Sequence, residues 1–244
     1  MRAIALIILA CTMMSSSYQT NFLKDQKRYS RVRTAIAEKE KIVVSTIEKN
    51  GIGIDELNIL ISAYKAEKEL EVYAKRKGET TYQKVSTYSI CSNSGQLGPK
   101  RKQGDSQVPE GFYYVDRFNP ASNFLLSLGL NYPNQSDRKK SSFTNLGGDI
   151  FIHGSCVTIG CLPMTDDKIR EIYVYALHAR NNGQSKIPVY IYPFKMTDEN
   201  FAKYKEKNME LENFWANLKT GFDKFDRDKN ELNVSVARNG DYTF

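Results

Sequence analysis

Beyond Ala10 the sequence has no apolar run long enough for a transmembrane helix, which needs about 20 apolar residues. The 15 glycines and 7 prolines show no three-residue period, which excludes a collagen-like chain. There is one tryptophan, there are two histidines, and no Cys-x-x-Cys pair occurs, so a structural zinc site has little support. The absence of a repeat of about 20–50 residues also excludes a solenoid or propeller.

The composition that remains is that of a globular protein. The 244 residues are 41% hydrophobic and 26% charged, and 35 basic against 28 acidic residues give a net charge of +7. This length suits one large domain with helical additions. A basic surface suits a polyanionic cell wall or a nucleic acid, but no nucleic-acid motif occurs, so no nucleic-acid partner is expected.

The first twenty residues have the pattern of a secretory signal peptide. Arg2 is followed by the apolar run AIALIILA and then by Cys11. The last residues of this run resemble a bacterial lipobox, which would make Cys11 a lipidated membrane tether. Cleavage a few residues later and a frayed apolar N-terminus are the alternatives. We therefore expect export to the periplasm or cell envelope, with 1–20 as the signal peptide.

Export changes the interpretation of the four cysteines. An even number is typical of disulfides in an oxidising compartment. If Cys11 is removed or lipidated, however, Cys91, Cys156 and Cys161 remain, and one of them must be unpaired. The sequence leaves open whether Cys91 and Cys156 pair.

Hydrophobic periodicity predicts an α+β fold. A helix is predicted from Asn21 to about Lys49, followed by short alternating strands in an antiparallel meander. Thr165 is predicted to cap a helix, Ile187–Tyr192 is predicted as a strand, and Thr197 is predicted to cap one long C-terminal helix.

The segment 149–161, DIFIHGSCVTIGC, holds the residues best suited to chemistry. A hairpin-like return would place His153 beside Cys161, near the start of a helix. A neighbouring imidazole can take the thiol proton, and Gly160 would let backbone N–H groups approach an oxyanion. The plain alternative is a buried cysteine after a turn. Cys156 is a rival nucleophile, but it sits in mid-loop.

Several ordered motifs resemble the YkuD-type L,D-transpeptidases, the cysteine enzymes of bacterial cell-wall maturation, and in particular their YafK-like branch. The similarity extends over roughly residues 55–195. The motifs that carry it are LGPKRKQGDSQVPEGFYYV (97–115), SLGLNYPNQSDR (127–138), GGDIFIHG (147–154) and TIGCLPM (158–164).

The resemblance implies a β-rich mixed-sheet domain with peripheral N-terminal and C-terminal helices. It also implies a mechanism in which Cys161 attacks the third-residue diamino acid of a peptidoglycan stem peptide. His153 would act as general base and then acid, with its ring oriented by a backbone carbonyl near Gly154 or Ser155, and Gly160 would supply an oxyanion donor. No metal and no organic cofactor is implied.

The sequence departs from the main family pattern in three ways. Thr158 matches, but Ile159 replaces a histidine and Pro163 replaces an arginine or asparagine, and the loop from His153 to Cys161 is short. His153 is therefore the base that remains. The departures leave open whether an amine or water accepts the acyl group.

The upstream motifs also give candidate substrate contacts. A basic run begins at Lys100, for which a solvated turn is the alternative, and a Pro-containing loop is predicted to line the cleft. The candidates are Lys100, Ser127, Tyr132, Asn134, Asp137, Arg138 and Thr158.

These predictions combine into one organisation of the chain. A helix at 21–54 precedes a catalytic domain at 55–195 and a helical extension at 196–244. The expected activity is acyl transfer between stem peptides. The alternatives are hydrolysis of an amide at the diamino acid and a non-catalytic envelope protein that binds murein.

Overall fold

The computed structural model describes residues 22–244. The predicted signal peptide and the lipidation candidate Cys11 lie outside this range. Within it, no helix is both long and apolar enough to cross a bilayer.

The described residues form helices around one large sheet and a small two-stranded sheet. In chain order the elements are α1 (Ser30–Glu48), β1 (Leu57–Tyr64), β2 (Glu69–Arg76), β3 (Gln83–Ser89), β4 (Gly111–Asn119), β5 (Ser127–Leu130), α2 (Gln135–Lys140), β6 (Phe151–His153), β7 (Leu162–Pro163), α3 (Asp166–Asn181), β8 (Ile187–Tyr192), α4 (Asp198–Lys205), a 3-10 turn (Met209–Leu211), α5 (Glu212–Asp228), β9 (Ser235–Val236) and β10 (Tyr242–Thr243).

The large sheet has eight strands in the order β3-β2-β1-β8-β4-β5-β6-β7. Its strand pairs are antiparallel except for β1 with β8 and β6 with β7, which run parallel. The predicted α+β class with a mixed sheet is therefore confirmed. The parallel pair β6–β7 lies at one edge of the sheet and carries the His–Cys segment.

Both faces of the large sheet are covered. Alternate side chains of β1 point to opposite faces, and each set packs in a different core. Ile59 and Ile61 pack in the core that includes α1 and α3. Leu60 and Tyr64 pack in an aromatic core that includes Trp215 of α5. Burial of one such side chain contributes about 1.5–3 kcal/mol, so each face stabilises the sheet substantially.

The predicted C-terminal helix is wrong in its continuity. Thr197 caps α4 as predicted, with its hydroxyl accepting from the Asn200 N–H at 3.3 Å. However, α4 ends at Lys205 and α5 begins only at Glu212. Between them, the Asn208 side-chain amide donates to the Tyr204 carbonyl at 2.8 Å. α4 has no fully buried residue, and Phe201 and Tyr204 attach it to the aromatic core as a separate short helix.

Candidate active site

His153 is held at the end of β6 by both neighbouring strands. It pairs with Ser127 of β5 on one side and with Pro163 of β7 on the other. Its ring stacks on Phe124, with 4.6 Å between ring centroids, and its Nδ1 lies 2.5 Å from the Gly154 carbonyl oxygen.

The Gly154 contact fixes the tautomer of His153. A carbonyl oxygen only accepts, so Nδ1 carries the proton and the lone pair lies on Nε2. Nε2 makes no hydrogen bond to any residue of 22–244. Burial lowers the pKa of His153, although the Gly154 carbonyl opposes this shift, and the ring is therefore neutral near pH 7.

Cys161 reaches the same face of the sheet by a different route from the predicted one. The return is parallel rather than hairpin-like, and the strand β7, not a helix, follows Cys161. Ile152 pairs with Leu162, and both lie in the core between the sheet and α3. Because side chains alternate along a strand, His153 and Cys161 share the opposite face.

The Cys161 sulfur rests as a thiol. It lies 3.6 Å from the Asp149 carbonyl oxygen, close to the start of β6, and it makes no hydrogen bond to His153 in this structure. Burial raises the pKa of the Cys161 thiol. The Phe151 N–H and the Lys100 charge act in the opposite direction. The register of β6 and β7 thus places the predicted pair on one face, both groups are neutral near pH 7, and no hydrogen bond joins them.

Thr158 organises the loop that delivers Cys161. Its hydroxyl oxygen accepts from the Cys161 N–H at 2.8 Å and from the Gly160 N–H at 3.2 Å, and it donates to the Cys161 carbonyl at 2.9 Å. Gly160 has a φ of +133°, and a Cβ there would lie 3.0 Å from the Gln107 carbonyl oxygen. The N–H that was predicted as an oxyanion donor therefore already has an acceptor.

Of the two backbone positions predicted to orient His153, Gly154 contacts the ring and Ser155 does not. The Ser155 N–H donates to Asp166 Oδ1 at 2.9 Å and its φ is +66°, while the imidazole contacts the Gly154 carbonyl alone. A Cβ at Gly154 would lie 2.7 Å from both Asp166 Oδ1 and the Phe124 carbonyl. Gly154 therefore allows the tight approach that positions the imidazole, and Ser155 acts one step away.

A disulfide joins Cys91 to Cys156, a pairing that the sequence left open. Their Cα atoms are 5.5 Å apart, and 65 positions separate them in the chain. Cys156 is therefore not available as a thiol. Among residues 22–244, Cys161 is the free cysteine.

Cys161 opens onto a cleft of about 250 Å³. The disulfide anchors the segment 92–97, which forms one wall of this cleft directly after Cys91. The rest of the lining comes from Lys65, Ala66, Lys68, Ile90, Val108, Cys161 and Leu162. Nothing in the sequence around 92–97 indicates that this segment lies against the sulfur.

The basic run at Lys100 is not a solvated turn. The Lys100 side chain is buried, and its Nζ lies 2.6 Å from Asp105 Oδ1 and 2.9 Å from the Lys102 carbonyl oxygen. Arg101 contacts Asp137 at 3.1 Å. Lys100 is near enough to lower the pKa of the Cys161 thiol, but its charge is already paired.

The candidates at 132–138 hold the fold together in this structure. The predicted loop contains α2, whose first turn is closed by a capping box between Asn134 and Asp137. Burial raises the pKa of Asp137 to about 6, although Arg101 and the Asn134 N–H act against it. The Tyr132 hydroxyl donates to the Leu146 carbonyl at 3.2 Å, and Arg138 is exposed. These residues do not line the cleft at Cys161, so their contact with substrate stays a prediction.

The neutral pair predicts how Cys161 responds to pH. Because burial raises the pKa of Cys161 and lowers that of His153, the thiolate should form only above the ordinary thiol range. We expect iodoacetamide to alkylate Cys161 at a rate that rises roughly tenfold per pH unit and is still rising at about pH 9. Peptide mass spectrometry of the Cys161 peptide measures this rate. A plateau that begins near pH 6 would instead indicate a resting thiolate–imidazolium pair.

The chain belongs to the YkuD family of L,D-transpeptidase catalytic domains, whose family profile matches residues 58–191. In particular, the chain is 41% identical over 186 residues to "Putative L,D-transpeptidase YafK" of Escherichia coli K12. This alignment covers 75% of the chain and 72% of that protein. The family indicated by the IHG and TIGCLPM motifs is confirmed.

Two solved structures are similar to the chain. The helical cell shape determining protein Pgp2 of Campylobacter jejuni aligns with a TM-score of 0.46 and 18% identity, over 75% of the chain and 74% of Pgp2. Bd1075 of Bdellovibrio bacteriovorus aligns with a TM-score of 0.41 and 22% identity, over 56% of the chain and 48% of Bd1075. Family membership rests on the two sequence matches.

Proposed function

We propose that this protein is an exported cysteine acyltransferase that acts on peptidoglycan stem peptides. One observation carries the proposal: the Cys161 thiol lines a cleft and shares a sheet face with a neutral His153 whose Nε2 is free among residues 22–244. A general base needs this state, because only a neutral imidazole can take a thiol proton. Family membership supports the substrate class.

The proposed reaction passes through a thioester. His153 Nε2 takes the Cys161 proton, and the thiolate attacks the carbonyl carbon of the third-residue diamino acid. The bond to the terminal D-alanine nitrogen breaks, and the imidazolium returns the proton to the leaving amine. An amine of a second stem peptide then attacks the thioester, and His153 takes a proton from that amine and passes it to the departing sulfur. In the hydrolytic alternative, water replaces that amine.

Two local rearrangements belong to this proposal. The sulfur, now 3.6 Å from the Asp149 carbonyl, must rotate about its Cα–Cβ bond toward the imidazole. For Gly160 to stabilise an oxyanion, its N–H must exchange Thr158 for the substrate oxygen. At 3.2 Å, this is the longer of the two bonds to Thr158, so it is the one that exchanges more easily.

Export to the periplasm or envelope is part of the proposal. The Cys91–Cys156 disulfide supports it, because disulfides persist in oxidising compartments. A lipid tether at Cys11 is the companion hypothesis. Palmitate labelling of the wild type and of Cys11→Ala would test it, and loss of the label in the variant is the expected result.

Tetrapeptide muropeptides test the function directly. We expect the purified protein to convert them into cross-linked dimers with loss of D-alanine, measured by mass spectrometry. Monomers shortened by one alanine would identify the hydrolytic alternative. Binding to murein without any change of mass, and without cleavage of any amide at the diamino acid, would contradict the proposal.

A further inference from the structure

The cleft at Cys161 has one lysine whose charge is uncompensated among residues 22–244. Lys65 lines the cleft but lies 2.8 Å from Glu110, and Lys100, behind the sulfur, lies 2.6 Å from Asp105. Lys68 also lines the cleft, is exposed, and forms no ion pair within the described residues.

Glu67 and Glu69, which flank Lys68 in the sequence, both contact Lys195. Glu67 Oε1 accepts from the Lys195 N–H at 3.1 Å, and Glu69 contacts the Lys195 ammonium. The Lys195 ammonium thus pairs with Glu69, whereas Glu67 accepts from the backbone N–H of Lys195. Neither carboxylate forms an ion pair with Lys68, so the Lys68 ammonium is available to attract an anion.

Ser94 in the wall at 92–97 contributes a polar atom that lacks a partner. Ser94 lines the cleft, and its Oγ is shielded from water and makes no hydrogen bond within the part of the chain that the structure describes. A ligand toward which this hydroxyl turns, and which accepts its hydrogen bond, would remove the cost of leaving it unpaired.

Contacts with distant parts of the chain hold the wall that carries this hydroxyl. Gly95 has a φ of +71°, and a Cβ there would lie 2.1 Å from the side-chain oxygen of Gln107. That oxygen accepts from the Gln96 N–H at 2.7 Å, and the disulfide at Cys91 anchors the start of the wall.

From these observations we propose that Lys68 and Ser94 bind a carboxylate of the acyl donor beside Cys161. The ammonium supplies the charge and the hydroxyl donates a hydrogen bond, both of which a carboxylate accepts. The assignment rests on the proposed function for the identity of the donor. A positive site next to the sulfur can nevertheless be tested without turnover.

Cys161 itself can report the charge of the cleft through two alkylating reagents of similar size. Iodoacetate carries a carboxylate and iodoacetamide does not. We expect Lys68→Gln to lower the ratio of their rates at Cys161 roughly threefold or more, since a nearby unit charge contributes about 1 kcal/mol in water. Lys68→Arg should keep the wild-type ratio, and Ser94→Ala should lower it less than Lys68→Gln.

Lys41→Gln is the matched control, because Lys41 is exposed on α1, outside the cleft, and forms no ion pair within residues 22–244. Its ratio should equal that of the wild type. Equal ratios in the wild type and Lys68→Gln would overturn the anion site. Peptide mass spectrometry of the Cys161 peptide keeps other thiols out of the measurement.

A second measurement tests the donor. Where the wild type turns over tetrapeptides, Lys68→Gln should raise KM severalfold and leave kcat nearly unchanged. Amidation of the recognised substrate carboxylate should have the same effect on the wild type. If no amidated donor differs from its acid, the carboxylate assignment fails. If the wild type leaves all donors intact, the proposed function fails, and the alkylation ratio still decides the anion site.

Discussion

Replacing Cys161 with alanine is expected to abolish turnover of stem peptides, with a fall of roughly 10⁴-fold or more. The loss should be this large because no other thiol is free among residues 22–244, and the thioester forms on this sulfur. Intact-mass spectrometry of the protein after incubation with tetrapeptides should then detect no acyl-enzyme in this variant. The variant should unfold at the wild-type temperature, since the side chain is only partly buried and loses a single sulfur atom.

The matched control removes the other two cysteines together. Cys91→Ser with Cys156→Ser opens the disulfide without leaving a stray thiol, and it should keep measurable turnover and acyl-enzyme formation. Its stability should fall by about 2–4 kcal/mol, because the bond closes a loop of 65 positions. If a folded double variant loses acyl-enzyme formation as completely as Cys161→Ala, Cys161 is not sufficient as the nucleophile.

The strands were predictable where a local pattern sufficed. Ile187–Tyr192 was predicted with its observed bounds, because a short apolar run is typical of a strand buried on both faces. The Thr165 cap of α3 was predicted equally well, and its hydroxyl accepts from the Lys168 N–H at 3.4 Å. In both cases the residues that determine the structure are neighbours in the chain.

The site itself depends on pairings that are distant in sequence. Nothing near His153 specifies that β7 runs parallel to β6, and the spacing to Cys161 fits a hairpin equally well. The wall at 92–97 depends on the bond from Cys91 to Cys156, 65 positions away, and on the contact of Gln96 with Gln107. The two side chains could thus be predicted from the motif, but not the cleft between them.

The ion pair between Lys65, which lines the cleft, and Glu110 also could not be predicted from the sequence. Nothing near Lys65 or Glu110 in the chain indicates that they pair, yet both side chains are buried and lie 2.8 Å apart. Lys65 also donates to the Gly98 and Val108 carbonyls, and burial lowers its pKa although Glu110 opposes the shift. A charge that is this buried is retained only with a partner from another part of the chain.

This ion pair leads to the largest stability prediction. Glu110→Ala should lower the free energy of unfolding by about 3–5 kcal/mol, because it leaves the Lys65 charge buried and unpaired. It also removes the acceptor of the Trp215 indole N–H at 2.9 Å and of the Gly98 N–H at 2.7 Å. Urea denaturation followed by tryptophan fluorescence measures the change.

Two variants separate the effect of the buried charge from a general effect of acidic residues. Glu110→Gln keeps an oxygen acceptor and should cost less than Glu110→Ala. Asp226→Ala removes the exposed partner of Lys229, 2.6 Å away, and should cost less than about 1 kcal/mol. A loss below about 1 kcal/mol in Glu110→Ala would show that water reaches Lys65. The carbonyls of Gly98 and Val108, which Lys65 now holds beside the wall at 92–97, would then not depend on this ion pair for their position.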